Sequence, residues 1–295
     1  MHGIVLVNKP QDLTSNAVLQ RVKRVFNARK AGHGGSLDPL ATGMLPICLG
    51  EATKVCHYML NADKCYEVVG RLGETTDTGD SMGAVIARQP FTGISTADMN
   101  RVLTLHRGLI QQVPPMYSAL KHKGKPLYEY ARRGITLERP ARAVVITKLE
   151  LHDVDDDRFH LTVACSKGTY IRSLIESIGN ALGFGAHVVQ LHRVYTAGFE
   201  AQTMHTLDEL ECMDAAALSS CLLPPERSVL HLKQVTVDAD ALIKLRQGQM
   251  VYHDAFSTAL EMVRVHDNRG GLVGFAELDS DGQLRPKRLL AFGTP

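Results

Sequence analysis

Residues 3–8, Gly-Ile-Val-Leu-Val-Asn, open the chain with an apolar run of strand length. Behind the polar Thr14-Ser15-Asn16, apolar Val18, Leu19, Val22, Val25 and Phe26 recur at helical spacing, which predicts a helix with a Ser or Asn cap. Strand-like alternation returns over 66–72, over 144–151, and where Phe159, Leu161 and Val163 interleave with His160, Thr162 and Ala164. Ile171, Leu174, Ile175, Ile178 and Leu182 share one helical face, so a helix is predicted over 169–182, ended by Gly183. Thr206-Leu207-Asp208-Glu209 has the spacing of a capping box and starts a further helix. Strands outnumber helices and do not alternate regularly with them. The pattern therefore predicts an α+β fold rather than a doubly wound parallel sheet.

Pro224-Pro225 interrupts this pattern and reads as a linker. Beyond it come a short helix over 240–246 and strand-like pieces over 262–265, 272–278 and 284–290. Turn signals stand between them at Asp267-Asn268-Arg269-Gly270 and Asp279-Ser280-Asp281-Gly282. The expected organisation is a large unit over 1–225 and a small β-rich module over 232–295. Two stretches are locally basic. Arg21, Lys23, Arg24, Arg29 and Lys30 crowd the polar side of the first helix and its exit, a pattern that also suits an ordinary solvated face. Between 113 and 142, Lys121, Lys123, Lys125, Arg132, Arg133, Arg139 and Arg142 face only Glu129 and Glu138, with Tyr117, Tyr128 and Tyr130 interleaved. Cations with aromatic rings suit a polyanion whose bases can stack.

A chain of 295 residues can bury a substantial core without staples. Its 33 Lys and Arg against 31 Asp and Glu leave a net charge of +2, so any surface for nucleic acid is local rather than global. No apolar run approaches the roughly 18 residues of a spanning helix, and the start lacks the basic and apolar regions of a secretory signal. A cytoplasmic protein without a membrane partner is expected. Cys48, Cys56, Cys65, Cys165, Cys212 and Cys221 lack paired spacing and read as reduced structural thiols.

Several chemistries have no motif here. There is no Walker A loop, no full dinucleotide fingerprint, no H-E-x-x-H, no paired C-x-x-C and no G-x-S-x-G. Neither a structural zinc nor a serine hydrolase is supported. What remains is Asp38, in the loop Gly32-His33-Gly34-Gly35-Ser36-Leu37-Asp38-Pro39-Leu40-Ala41-Thr42-Gly43. The glycines let backbone approach a ligand, and Pro39 biases Asp38 toward extended backbone. An Asp before Pro in such a loop equally suits a turn or cap, and spacing alone does not choose.

This loop resembles the catalytic motif of the bacterial TruB-type tRNA pseudouridine synthases. Asn8-Lys9-Pro10, Leu49-Gly50-Glu51-Ala52-Thr53-Lys54, Lys64-Cys65-Tyr66, Arg71-Leu72-Gly73 and Met116-Tyr117-Ser118-Ala119-Leu120-Lys121 agree in order. So do Cys165-Ser166-Lys167-Gly168-Thr169-Tyr170-Ile171-Arg172, Gly185-Ala186-His187-Val188 and Leu191-His192-Arg193, and the likeness covers roughly residues 3–200. The resemblance implies a mixed, largely antiparallel sheet with a PUA-like tail. It implies isomerisation of the uridine at position 55, in the T arm of tRNA, with no guide RNA, by a monomer, and, because substrate and product are isomers, with no redox cofactor and no metal. It makes Asp38 the nucleophile, Arg172 the partner that keeps the carboxylate ionised, and Tyr66 the ring that stacks on the base and assists proton removal from C5. His33 fills the space left by the extruded uridine, Tyr170 and Leu191 form walls, and Lys9 reaches a phosphate or supports the catalytic loop. Attack at ribose C1′, addition at base C6 and proton removal at C2′ all stay open for Asp38. The segment over 114–142 corresponds to an RNA-gripping insertion. The chain departs from the family at Gly34, His192 and Asn8, where Thr, Arg and Asp are usual.

Three rivals have sequence-level tests. A guide-RNA-dependent rRNA pseudouridine synthase shares the Asp loop but would lack the 114–142 insertion. A non-catalytic RNA-binding or RNA-folding protein would have lost Asp38 or Arg172. A glycosidase needs a second carboxylate, for which Glu51 and Asp77 are the candidates.

Overall fold

A computed structural model describes residues 1–255 and 257–291 of the chain. The chain begins with β1 (Gly3–Lys9), α1 (Ser15–Val25), β2 (Ala31–His33), β3 (Thr42–Leu49), α2 (Cys56–Asn61) and β4 (Lys64–Leu72), then a hairpin of β5 (Glu74–Thr76) and β6 (Val85–Arg88). Next come α3 (Thr96–Leu105), β7 (Gly108–Gln112), the small strands β8 (Lys121–His122) and β9 (Lys125–Pro126), and α4 (Leu127–Ala131). The main body closes with β10 (Arg142–Asp155), β11 (Arg158–Cys165), α5 (Ile171–Ala181), β12 (Ala186–Thr196), α6 (Leu207–Cys212) and α7 (Ala215–Ser220). Eight strands form one sheet in the order β1, β3, β12, β4, β11, β10, β7, with β2 paired to β3. Only the β3–β12 contact in it is parallel, and it is short, with His192 opposite Thr42 and Arg193 opposite Gly43. The fold is thus α+β with a mixed, largely antiparallel sheet.

Period-two burial explains the central strands. In β4, Tyr66, Val68 and Leu72 point inward while Glu67 faces solvent. Gly70 lies opposite Phe159, whose ring occupies the space above it: a Cβ at Gly70 would sit 2.3 Å from the ring. The amphipathic α5 lays Ile171, Leu174, Ile175 and Ile178 on this face, each worth about 1.5–3 kcal/mol when fully buried. Gly183, at φ +84, turns the chain out of the helix. On the other flank α1 buries Val18, Leu19 and Val22 together with Val5, Leu45 and Leu207.

Two details of the sequence reading change. The cap of α1 is Thr14, whose Oγ1 accepts from the Ala17 amide, because the Ser15 hydroxyl is committed to Leu37. β3 carried no alternation because it is buried on both faces, and Pro46 argued against a strand.

The tail contains β13 (Lys233–Val237), α8 (Ala239–Arg246), β14 (Val251–Tyr252), β15 (Glu261–Asp267), β16 (Leu272–Leu278) and β17 (Gln283–Leu289), in a five-stranded sheet ordered β13, β15, β16, β17, β14. The module expected to reach residue 295 includes 292–295, which lie outside the described residues. Pro224-Pro225, read as a linker from the sequence, is packed against the body. Pro225, Ser228 and Val229 are buried, and Phe275, Leu272 and Leu290 share a core with Ile4, Leu6, Met44 and Phe199. Lys54 Nζ donates to the Leu289 carbonyl at 2.7 Å, and Glu51 accepts from the Ala291 amide at 2.7 Å. Phe275→Ala, at the centre of this junction, would cost about 3–5 kcal/mol.

Candidate active site

The loop between β2 and β3 is pinned from several sides. The Ser15 hydroxyl accepts from the Leu37 amide at 2.7 Å and donates to its carbonyl at 2.9 Å. Arg193, 1% exposed, donates from Nη2 to the Gly35 carbonyl at 2.9 Å and from Nε to the Met44 carbonyl at 2.6 Å. Gly43, at φ +93, leaves room for that approach, since a Cβ there would meet the Arg193 carbonyl at 2.3 Å. Leu37, Leu40 and Ala41 are buried, so Asp38 is presented from a rigid turn.

Asp38 stands at the floor of a cavity of about 790 Å³, lined also by Arg172, Tyr66, His33, Tyr170 and Leu191. Six of the seven residues picked from sequence therefore meet in one place, carried by the 34–41 loop, β2, β4, β12 and the start of α5. The Arg172 Nε lies 2.9 Å from Asp38 Oδ2. Its other nitrogens are also engaged: Nη1 donates to the Thr78 carbonyl at 2.6 Å and Nη2 to the Tyr117 carbonyl at 2.8 Å. A second carboxylate, Asp80, has Oδ2 3.8 Å from Nη1 and is itself held by Thr78 Oγ1 and the Met82 amide. The buried guanidinium is thus fixed in plane, and it aims one edge at a carboxylate that remains 41% exposed to the cavity.

Burial pushes the Asp38 carboxyl up, and the Asp80 charge adds to the rise; Arg172 and then Lys9 oppose it. The sequence reading, in which Arg172 keeps Asp38 ionised, is therefore refined: the guanidinium offsets part of the desolvation and the net shift stays upward. Burial also raises the Tyr66 hydroxyl, against the pull of Arg193 beside it. His33 is lowered by burial first and by the Arg193 charge second, and its Nδ1 is buried with no hydrogen-bond partner.

Lys9 is the seventh residue, and it does not reach outward. It is fully buried, with Nζ donating to the Pro10 carbonyl at 2.7 Å and the Pro39 carbonyl at 3.2 Å. Burial lowers its pKa to about 8, against the opposing charges of Asp38 and Asp12. Of its two expected roles the geometry supports the second, as a prop beneath the loop, since its Nζ is turned to the Pro10 and Pro39 carbonyls.

The 114–142 segment folds against the mouth of the cavity instead of forming an irregular excursion. Tyr117, Ser118, Tyr128 and Arg132 line the wall, and the Arg132 guanidinium lies 5.3 Å from the centroid of the Tyr128 ring. On α1, by contrast, Arg21 is taken up by Glu211 through two hydrogen bonds of 2.9 Å. Of the carboxylates considered for a glycosidase, Glu51 sits at the tail junction, and Asp77 is turned to the Ala84 amide. Among the described residues no group of three or more His, Cys, Asp or Glu side chains could hold a metal ion. No helix among them is long and apolar enough to cross a membrane.

Family models give this geometry its context. The TruB family pseudouridylate synthase N-terminal domain matches residues 23–171, the tRNA pseudouridylate synthase B C-terminal domain 172–230, and the pseudouridine synthase II TruB C-terminal domain 234–290. The chain belongs to the TruB family of pseudouridylate synthases. A relative from Legionella pneumophila (strain Corby), named tRNA pseudouridine synthase B, is 49% identical over 290 residues, spanning 98% of this chain and 96% of that protein. Another of the same name, from Aeromonas salmonicida, is 46% identical over 302 residues, spanning 99% and 94%. Among solved structures, a chain of a Cbf5-Nop10-Gar1 complex superposes with a TM-score of 0.76 at 25% identity, covering 97% of this chain and 84% of that one.

Sequence reasoning missed Ser15, Thr78, Asp80 and Arg193 as parts of this TruB site. Ser15 was visible only as a cap candidate, and Arg193 only inside a matching string. The others act through backbone carbonyls or from a loop without a motif.

Proposed function

We propose that the chain is a tRNA pseudouridine synthase that isomerises the uridine at position 55 of the T arm, without guide RNA, as a cytoplasmic monomer. The carrying observation is the Asp38–Arg172 pair at the floor of a cavity large enough for an extruded nucleoside. Support also comes from relatives named tRNA pseudouridine synthase B, which are far closer in sequence than the chain of the Cbf5 complex. In the reaction the N1–C1′ bond breaks, the base turns, C5 bonds to C1′ and loses its proton, and N1, freed from the ribose, takes up a proton. Substrate and product are isomers, so no net electron transfer occurs. Each route open to Asp38, at C1′, C6 or C2′, begins from its ionised carboxylate, and Arg172 orients that carboxylate. Tyr66 and Leu191 sandwich the extruded base, Tyr170 closes the side wall, and His33 occupies the space the uridine leaves. Arg193 eases charge onto the Tyr66 hydroxyl as the C5 proton departs. The catalytic unit is taken as 1–225, with the 114–142 segment gripping RNA and a PUA-like module over 232–295 adding remote contacts.

The test is release of tritium from C5-labelled uridine in a tRNA transcript with protein alone. Stoichiometric release from the full transcript, lost when the uridine at position 55 is replaced by cytidine, is expected. Release only on adding a guide RNA, or none with tRNA bound, would overturn the reading.

A further inference from the structure

Gln112, the last residue of β7, is only 7% exposed, and both ends of its side-chain amide meet the backbone of one distant residue. The Tyr170 amide donates to Gln112 Oε1 at 2.7 Å, and Gln112 Nε2 donates to the Tyr170 carbonyl at 3.0 Å. Tyr170 is the N-cap of α5, has extended φ/ψ of −99 and 110, and has no side-chain cap of its own. Its amide belongs to the end of a helix, where backbone donors lack intrahelical partners. Gln112 supplies that partner and mimics one rung of a β-ladder.

What hangs on this rung is the catalytic geometry. Tyr170 forms a wall of the cavity, and Arg172, two residues on, reaches Asp38. Five residues beyond Gln112 along the chain, the Tyr117 carbonyl accepts from Arg172 Nη2. The root of the basic insertion therefore holds the start of α5 twice, once by its backbone position and once by its guanidinium. We infer that Gln112 is a positioning residue for the reaction: its amide fixes the Tyr170–Arg172 turn so that the guanidinium meets Asp38 in one orientation, with no contact to RNA itself. A planar amide suits this task because it offers one donor and one acceptor at fixed spacing, matching the carbonyl and N–H of a single residue.

This rests on the pseudouridine synthase reading, and wild-type protein that releases no tritium would break that reading rather than this one. The experiment uses full-length Gln112→Met, which keeps length and packing but loses both hydrogen bonds, and Gln112→Glu, which keeps the acceptor and loses the donor. Single-turnover tritium release and tRNA binding are measured for each from pH 8 to pH 5. Both variants should release tritium on the order of tenfold to a hundredfold more slowly at pH 8, with binding within about twofold of wild type. As pH falls, the rate of Q112E relative to wild type should climb, because the protonated carboxyl regains a donor for the Tyr170 carbonyl; Q112M should show no such climb. Burial raises the introduced carboxyl, while solvent-exposed Arg142, opposite in the strand pair, and buried Arg172 pull it down. Wild-type rates in Q112M would overturn the inference. So would losses matched by equal losses of binding, or a Q112E deficit that stays flat with pH.

Discussion

The floor of the Asp38 cavity and its basic rim both use arginine, yet they are built in opposite ways. On the floor, Arg172 is 5% exposed and spends each of its three nitrogens on a fixed oxygen. On the rim Arg132 lines the cavity and stacks on a ring, and Lys121, Lys123, Lys125 and Arg133 of the same insertion are exposed like it. A charge held in place without water acts at full strength and in one direction. Charges in water are screened and adapt to whatever phosphate arrives. The floor should therefore govern the rate of the chemical step and the rim the affinity for RNA, and each variant below tests that separation.

Arg172→Lys should show the largest effect of the floor's supports. An ammonium cannot serve the Asp38, Thr78 and Tyr117 oxygens together, so single-turnover rates should fall by about a hundredfold or more while tRNA binding changes little. A variant with near-normal rates would reduce Arg172 to a point charge. Lys9→Met sharpens the comparison from beneath the loop. Removing it deletes the prop under Pro39, and the rate should fall by roughly tenfold. Its charge also opposes the upward shift of Asp38. Since Asp38 must be ionised to react, the acid limb of the rate profile should move to higher pH in this variant. A limb that stays in place would separate Lys9 from the carboxylate.

Neutralising Lys121, Lys123, Lys125, Arg132 and Arg133 together should act on the other side of the divide. The salt slope of binding should fall by about 0.7–0.9 for each cation that touches a phosphate, with the saturated rate nearly intact. The matching change on α1, at Lys23 and Arg24, should be smaller, because neither residue lines the cavity, whereas the insertion brings Arg132 and Tyr128 to its wall. Equal effects from the two stretches, read in a salt titration of binding, would dissolve the distinction between a rim and an ordinary charged surface.

Much of this was legible in the sequence where one face of an element is buried. α1, β4, β10, β11 and α5 declared themselves by periodicity and β1 by its unbroken apolar run, and the Thr206–Glu209 capping box is present as read. β3, buried on both faces like β1, was silent because Gly43 and Pro46 interrupt its apolar run. β12 was silent because Gln190, His192 and Arg193 interrupt its apolar pattern, Arg193 being buried to hold the loop. α3 was passed over because its last residue, Leu105, is exposed and its polar residues are mixed among the apolar ones. At the site, motif strings marked Asp38, Tyr66, His33, Tyr170, Arg172 and Leu191. They could not show that Lys9 faces inward, that Pro225 is packed, that Gln112 holds the Tyr170 backbone or that Asp80 stands beside Arg172, since those relations exist only after the sheet brings distant segments together.

The most direct measurement is a single-turnover comparison of wild type and Asp38→Asn at saturating enzyme, with tRNA binding measured on the same preparations. The amide keeps the size of the side chain and loses its charge and nucleophilicity. The account predicts tRNA bound within about twofold of wild type and tritium release abolished; release within about tenfold of wild type, with binding intact, would contradict it.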